Sequence, residues 1–280
     1  MAERYSAFSF VDRITELEPG KRARGQFWVP QSLAHFPSCL VAEAVGQLAA
    51  WVAMAQLEFR KRPVAGLAGE ASFLGKVNPG QTLDLTVEIE TCDDDAIAYN
   101  GSARVDGALV LELKRCVGPM LPIEDFDAPE ALREQFELLR GAGAKAGRFQ
   151  GTPEPDLAVV ERSSGQWLRA ELRVPDSAMF FRDHFPRRAV FPATLLLDSQ
   201  IRLALGLAGE TAHWPPGTRP VPSRVTNVKM RAFILPGQVV EIRTEIQSAT
   251  SDAATVAVAA RVNGKSVSTG RVQVVARGAA

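Results

Sequence analysis

Slid along itself, this 280-residue sequence matches at four places in the same order. Val11-Asp12-Arg13 returns as Val160-Glu161-Arg162, and His35-Phe36-Pro37 as His184-Phe185-Pro186, each 149 residues later. Pro79-Gly80-Gln81 returns as Pro236-Gly237-Gln238, and Arg104-Val105-Asp106-Gly107 as Arg261-Val262-Asn263-Gly264, each 157 later. One match would carry little weight. Four in order, with an offset that changes once by eight residues, indicate a tandem duplication with insertions in the middle. The chain then divides into a repeat over 1–125, a linker over 126–155 and a second repeat over 156–280. At roughly 150 residues per domain, that length allows two units that each bury a core.

Each half carries the same local signals. An opening strand and an irregular segment lead to His-Phe-Pro, and a helix follows, over Cys39–Phe59 in the first half and Ala193–Leu207 in the second. Pro192 suits a first-turn position. After Pro-Gly-Gln, Leu83, Leu85, Val87 and Ile89 alternate with Asp84, Thr86, Glu88 and Glu90, and Val240, Ile242 and Ile246 repeat the pattern, which reads as strand. Asp106-Gly107 and Asn263-Gly264 are hairpin turns, because a type I′ turn needs the positive φ that these residues tolerate. Residues 129–140 read as a short amphipathic helix in the linker. Both long helices are apolar nearly all round and belong in the interior. One buried helix against one antiparallel sheet per half is an α+β arrangement.

Thirty-two basic residues balance 32 acidic ones, so the chain lacks the basic excess of a nucleic-acid or membrane-surface binder. The start, MAERYSAFSF, has no apolar signal region, and no uncharged apolar run reaches the roughly 18 residues of a membrane span. A cytoplasmic protein is expected. Cys39, Cys92 and Cys116 are odd in number and far apart, so they suggest neither a disulfide frame nor a metal site; no cofactor is implied.

Against this apolar background the polar residues of the helices stand out. Glu43 and Gln47 are four apart and share a helix face. A buried carboxylate is costly without a partner, so Glu43 is either a peripheral residue reaching water or a functional one. The matching Asp198 precedes Arg202 by four, the spacing of an ordinary helix ion pair, which would hold Asp198 ionised. Of three histidines, His35 and His184 occupy matched positions upstream of a helix with a carboxylate, a pattern that points to acid–base chemistry. His213, in His-Trp-Pro-Pro, reads as a loop residue.

These segments resemble the beta-hydroxyacyl-[acyl carrier protein] dehydratases of fatty-acid synthesis, which have the hot-dog fold. FSFVDRITELEPGKR resembles the opening strand and turn of that family, HFP its histidine motif, EAVGQ its helix motif and FLGKVNPGQ its following strand. The second half is more divergent but keeps HFPRRAVFPATLLLD, in which His184, Pro192 and Asp198 match. The resemblance implies a double hot-dog: two antiparallel sheets, each wrapping a long buried helix, paired within one chain. It also implies composite sites that take histidine from one unit and carboxylate from the other.

Two such sites are then available. His184 with Glu43 keeps every element, including Gln47 and the loop to Pro192 and Ala193, whose backbone N–H would polarise a thioester oxygen; Ala193 stands where the family has glycine. His35 with Asp198 is damaged on both sides. Only eight residues separate His35 from Glu43, against the 14 between His184 and Asp198, and Arg202 replaces the glutamine. One working site per chain is expected, with the other degenerate.

The implied reaction is loss of water from a 3-hydroxyacyl thioester, with His184 as base and Glu43 as acid. Burial among Val41, Ala44 and Val45 would favour the neutral carboxyl that this role requires. Arg182, Arg187 and Arg188 form either a docking patch for an acidic acyl carrier protein or for coenzyme A, or ordinary solvated surface. Phe180, Phe181, Phe185 and Phe191 line an acyl tunnel or belong to the core. A hot-dog thioesterase and a non-catalytic acyl-carrier-binding protein are the competing readings, and a homodimer of such pseudo-dimers stays open.

Overall fold

The computed structural model describes residues 5–211 and 214–278. The first half runs β1 (Arg13–Glu18), β2 (Arg22–Trp28), α1 (Ser38–Gln56), β3 (Lys61–Pro63), β4 (Leu67–Phe73), β5 (Thr82–Cys92), β6 (Ala96–Val105) and β7 (Ala108–Pro122). A linker helix, α2 (Pro129–Arg140), follows. The second half runs β8 (Asp156–Ser163), β9 (Trp167–Arg173), α3 (Ala193–Thr211), β10 (Thr218–Met230), β11 (Val239–Ala249), β12 (Ala253–Val262) and β13 (Lys265–Gly278).

The strand order is β1-β2-β5-β6-β7-β4-β10-β13-β12-β11-β9-β8, all pairs antiparallel, with β3 attached to β7. The expected pair of separate sheets is therefore one continuous sheet. The edge strands β4 and β10 join the halves in register, Leu67 opposite Lys229 and Ser72 opposite Arg224. Joining them satisfies two rows of backbone groups that would otherwise be bare edges. Each half curls around its helix, α1 against β5 and β6 and α3 against β11 and β12, and the helices meet at the centre.

Alternation explains which face is inside. Leu83, Leu85 and Val87 are fully buried, while Asp84 and Glu88 face water. In β11 the inward row is Val240, Ile242 and Thr244, and Ile246 is only partly covered. Asp106, Gly107, Asn263 and Gly264 all have positive φ and close the β6–β7 and β12–β13 hairpins. The Pro-Gly-Gln repeat is one turn built twice. Gly80 and Gly237 sit at positive φ, and the Gln81 and Gln238 side chains accept the N–H groups of Asn78 and Leu235 at 2.7 and 2.8 Å. The Val-Asp-Arg match has no structural counterpart, since Val11 is buried and Val160 is exposed. The turns that close the two opening hairpins, at Gly20 and Gly165, are instead offset by 145.

Both helices differ from expectation at their C-terminal ends. α1 stops at Gln56 because Glu58 and Phe59 take left-handed φ, and α3 runs one turn beyond Leu207 to Thr211. By length and composition α1 could cross a membrane, but it is the core helix of the first half, and Glu43 is its one charged residue. His213 lies outside the described residues. Cys39, Cys92 and Cys116 are free thiols.

Candidate active site

A cavity of about 490 Å³ opens where the two halves meet, within the usual range for a small-molecule site. Its wall includes His184, Glu43, Gln47 and Ala193, which stand on three different elements from both repeats. The loop from His184 to Phe191 is shaped by its own backbone. Val190 N–H donates to the His184 carbonyl at 3.1 Å, and Phe191 N–H to Ile234 at 2.8 Å. This fold brings the Val190 carbonyl to 2.9 Å from His184 Nδ1. A carbonyl can only accept, so Nδ1 carries the hydrogen and Nε2 keeps its lone pair. Burial lowers the His184 pKa from its ordinary 6.5; the Glu43 charge and the Val190 carbonyl oppose this, and the Arg62 charge reinforces it. The ring is thus a neutral base at neutral pH.

Glu43 does not pack among Val41, Ala44 and Val45, which turn into the core of the first half. Helical spacing puts it on the neighbouring stripe with Ala42, Gly46, Gln47 and Ala50, and that stripe lines the cavity. Both of its oxygens are engaged: Gln47 Nε2 donates to Oε1 at 3.0 Å, and Thr194 Oγ1 to Oε2 at 2.8 Å. Gln47 cannot turn away, because Phe10 N–H donates to its Oε1 at 2.8 Å and its Nε2 also reaches the Phe8 carbonyl. The Thr194 hydroxyl can donate to a carboxylate or accept from a carboxyl, so the pair accommodates Glu43 in either protonation state. Pro192 caps α3 by accepting Leu195 and Leu196 N–H at 3.1 and 3.2 Å. The first N–H groups, those of Ala193 and Thr194, have no partner within the helix and sit at its positive end.

Three residues at this site escaped sequence reasoning. Thr194 contacts Glu43 across 151 residues, and nothing local marks it. Asp183 accepts from Tyr5, Ala7 and Phe8 N–H at 3.1, 2.8 and 2.8 Å and from Ser9 Oγ at 3.2 Å. It thereby ties the N-terminal segment of one repeat over the histidine loop of the other, and Phe8 meets the His184 ring edge-on at 5.5 Å. Burial raises the Asp183 pKa despite these four donors. The Arg62 guanidinium carbon sits over the Phe185 ring, 3.8 Å from its centre, and Arg62 also lines the cavity.

Of the four phenylalanines, Phe185 and Phe191 line this cavity, whereas Phe180 and Phe181 pack in the core. Arg182, Arg187 and Arg188 are exposed. Arg187 donates to the Glu124 carbonyl at 3.0 Å, and Arg188 lies over Phe233 at 4.7 Å. Among the described residues no group of three His, Cys, Asp or Glu side chains could hold a metal ion.

His35 and Asp198 line a second cavity of about 670 Å³. His35 is exposed, and α1 begins three residues after it, which leaves no room for a loop like that from His184 to Phe191. Arg202 binds Asp198 at 2.8 Å and Glu154 of the linker at 2.9 Å. The Asp198 pKa is nevertheless raised, not lowered as the ion pair alone suggests, because burial outweighs the arginine.

Residues 1–114 match the FabA-like domain family, and residues 160–271 match the ApeI-like family, described as ApeI dehydratase. The chain is 38% identical over 117 residues to the 3-hydroxyacyl-[acyl-carrier-protein] dehydratase FabZ of Bacillus velezensis, covering 38% of this chain and 82% of that protein. Among solved structures, a 12:0-ACP thioesterase from Umbellularia californica superposes with TM-score 0.57 at 9% identity, covering 91% of this chain and 94% of that one. A MaoC-like dehydratase superposes with TM-score 0.52 at 13% identity, covering 91% and 98%. At such identities these two structures establish the hot-dog fold alone.

Proposed function

This chain belongs to the 3-hydroxyacyl-[acyl-carrier-protein] dehydratase family, and from that premise we propose that it removes water from a 3-hydroxyacyl thioester to give the trans-2-enoyl thioester at the cavity of His184 and Glu43. The observation that carries this reading is the Val190 contact, which leaves a neutral imidazole with a free Nε2 in a cavity that Glu43 shares.

The thioester carbonyl accepts from the Ala193 N–H, which stabilises the oxyanion character that develops when C2 loses a proton. His184 Nε2 takes that proton. The C2–H electron pair becomes the C2=C3 bond, the C3–O bond breaks, and the departing oxygen takes the proton of Glu43 and leaves as water. One proton then sits on His184 and Glu43 is ionised. Transfer between them, directly or through a water, resets the pair. The carboxyl is presented by Gln47 and Thr194. Further along α1, Ala50, Trp51 and Met54 line the same cavity with Leu132 and Leu139 of α2, an apolar wall suited to an acyl chain. From Glu43 to Met54 the helix advances about 16 Å.

The substrate is carried by acyl carrier protein or coenzyme A, and the exposed Arg182, Arg187 and Arg188 are the docking patch for the acidic carrier. The setting is cytoplasmic fatty-acid synthesis. The test follows enoyl absorbance and free thiol separately during turnover of a 3-hydroxyacyl thioester. Enoyl product without thiol is expected; thiol release without enoyl, persisting in His184→Ala, would make the protein a thioesterase.

A further inference from the structure

Arg62 is an unusual residue to find in an apolar cavity. It stands on the three-residue strand β3, and burial pushes its pKa down to about 10, so it stays charged at neutral pH. Its Nε is sealed from solvent without a hydrogen-bond partner, while the residue as a whole is half-buried in the cavity wall. Its close contacts are aromatic: Phe185 at 3.8 Å and Phe126 at 5.8 Å. The charges of Asp127, Tyr5 and Glu43 act on it and partly offset the effect of burial. A sealed N–H without a partner costs stability, and such a group persists where a ligand in the cavity engages the guanidinium.

Position narrows what that ligand is. The exposed residues in the cavity wall are Ala65, Pro119, Arg231 and Ala232, which mark the mouth. The end formed by Trp51, Met54, Leu132 and Leu139 is buried. Arg62 is three residues from Ala65, and its aromatic partners Phe126 and Phe185 belong to the small cluster that reaches Phe233 beside Ala232. It therefore lies on the mouth side. Phe185 stacks on His184 with ring centres 4.1 Å apart, so the guanidinium carbon is no farther than about 8 Å from the imidazole centre. A phosphopantetheine phosphate lies roughly 16 Å beyond the thioester sulfur, about thirteen bonds advancing about 1.25 Å each, which is too far. The nearer amide of that arm is about 5 Å from the sulfur.

We propose that Arg62 is a substrate-binding residue whose guanidinium donates to the amide carbonyl of the pantetheine arm nearest the thioester, and so selects substrates on a pantetheine carrier, whether protein or coenzyme A. This rests on the thioester reading of the cavity. It makes Arg62 a specificity determinant separate from the two groups that move protons.

The test compares one 3-hydroxyacyl group as its N-acetylcysteamine thioester, which keeps the nearer amide, with its butyl thioester, which lacks it. The wild-type protein is expected to favour the amide-bearing substrate in kcat/KM by about tenfold to hundredfold, the range of one hydrogen bond to a charged group. In Arg62→Met the preference falls close to one, and Arg62→Lys retains part of it. Thermal melting of Arg62→Met holds or rises, because a sealed N–H without a partner is gone. A preference that survives in Arg62→Met overturns the proposal. So does a lowered Tm with equal losses on both thioesters, which would make Arg62 a brace for Phe185. Titration of free pantetheine while following the Arg62 Nε–H resonance separates the two levels of the account. A shifted resonance without dehydration of either thioester keeps the arm-binding role and discards the dehydratase reading; dehydration of both at equal rates without a shift does the reverse.

Discussion

The decisive residue-scale feature is that the His184 ring is held neutral with Nε2 unengaged by the Val190 carbonyl. Burial and the Arg62 charge lower its pKa, and the Val190 carbonyl fixes which nitrogen is free. The sign of the consequence follows. The neutral form persists as pH falls through 6.5, so kcat/KM should stay flat there and decline only at lower pH. An acid limb centred at or above 6.5 in a pH–rate profile would show that another group controls activity. The same depression removes stability as pH falls, because the unfolded chain takes up the proton first. Sequence could pair Glu43 with Gln47 because both lie on one helix face. Thr194 and Asp183 were invisible, because their partners are more than 150 residues away and depend on how the halves dock.

At the scale of elements, the close approach of α1 to β6 depends on one missing side chain. A Cβ at Gly101 would collide with Val45 on α1 and meet the Thr86 carbonyl at 3.0 Å. Gly101→Val is therefore expected to cost about 1–3 kcal/mol or more through overpacking, lowering Tm by several degrees. An unchanged Tm would mean that the helix is not seated on this strand. The alternation in β5 and the Asp-Gly and Asn-Gly turns were readable because they depend on neighbours in sequence. The union of β4 with β10 was not. Nothing in LAGEASF says which distant edge it will meet, since backbone groups do the pairing. The left-handed residues that end α1, Glu58 and Phe59, also lack the glycine that usually announces such a stop.

For the whole molecule, duplication makes two cavities and divergence makes them unequal. The first has a histidine held by a loop carbonyl and a carboxyl served by neutral donors. In the second, His35 is exposed and an arginine ties Asp198 to Glu154 of the linker. The repeat, the spacing of eight against 14 and the Gln47-to-Arg202 exchange made this asymmetry legible before any coordinates. The tie to Glu154 was not legible, because it depends on where the linker lies. The central claim is a single composite site that draws on both repeats. Its most direct test is the rate of enoyl formation by His184→Ala, Glu43→Gln, His35→Ala and Asp198→Asn beside the wild type. The first two should each fall by about 10²–10⁴-fold, the usual worth of a general acid or base, and the last two should stay near wild type. Comparable losses in His35→Ala or Asp198→Asn, or full activity in His184→Ala, would contradict it.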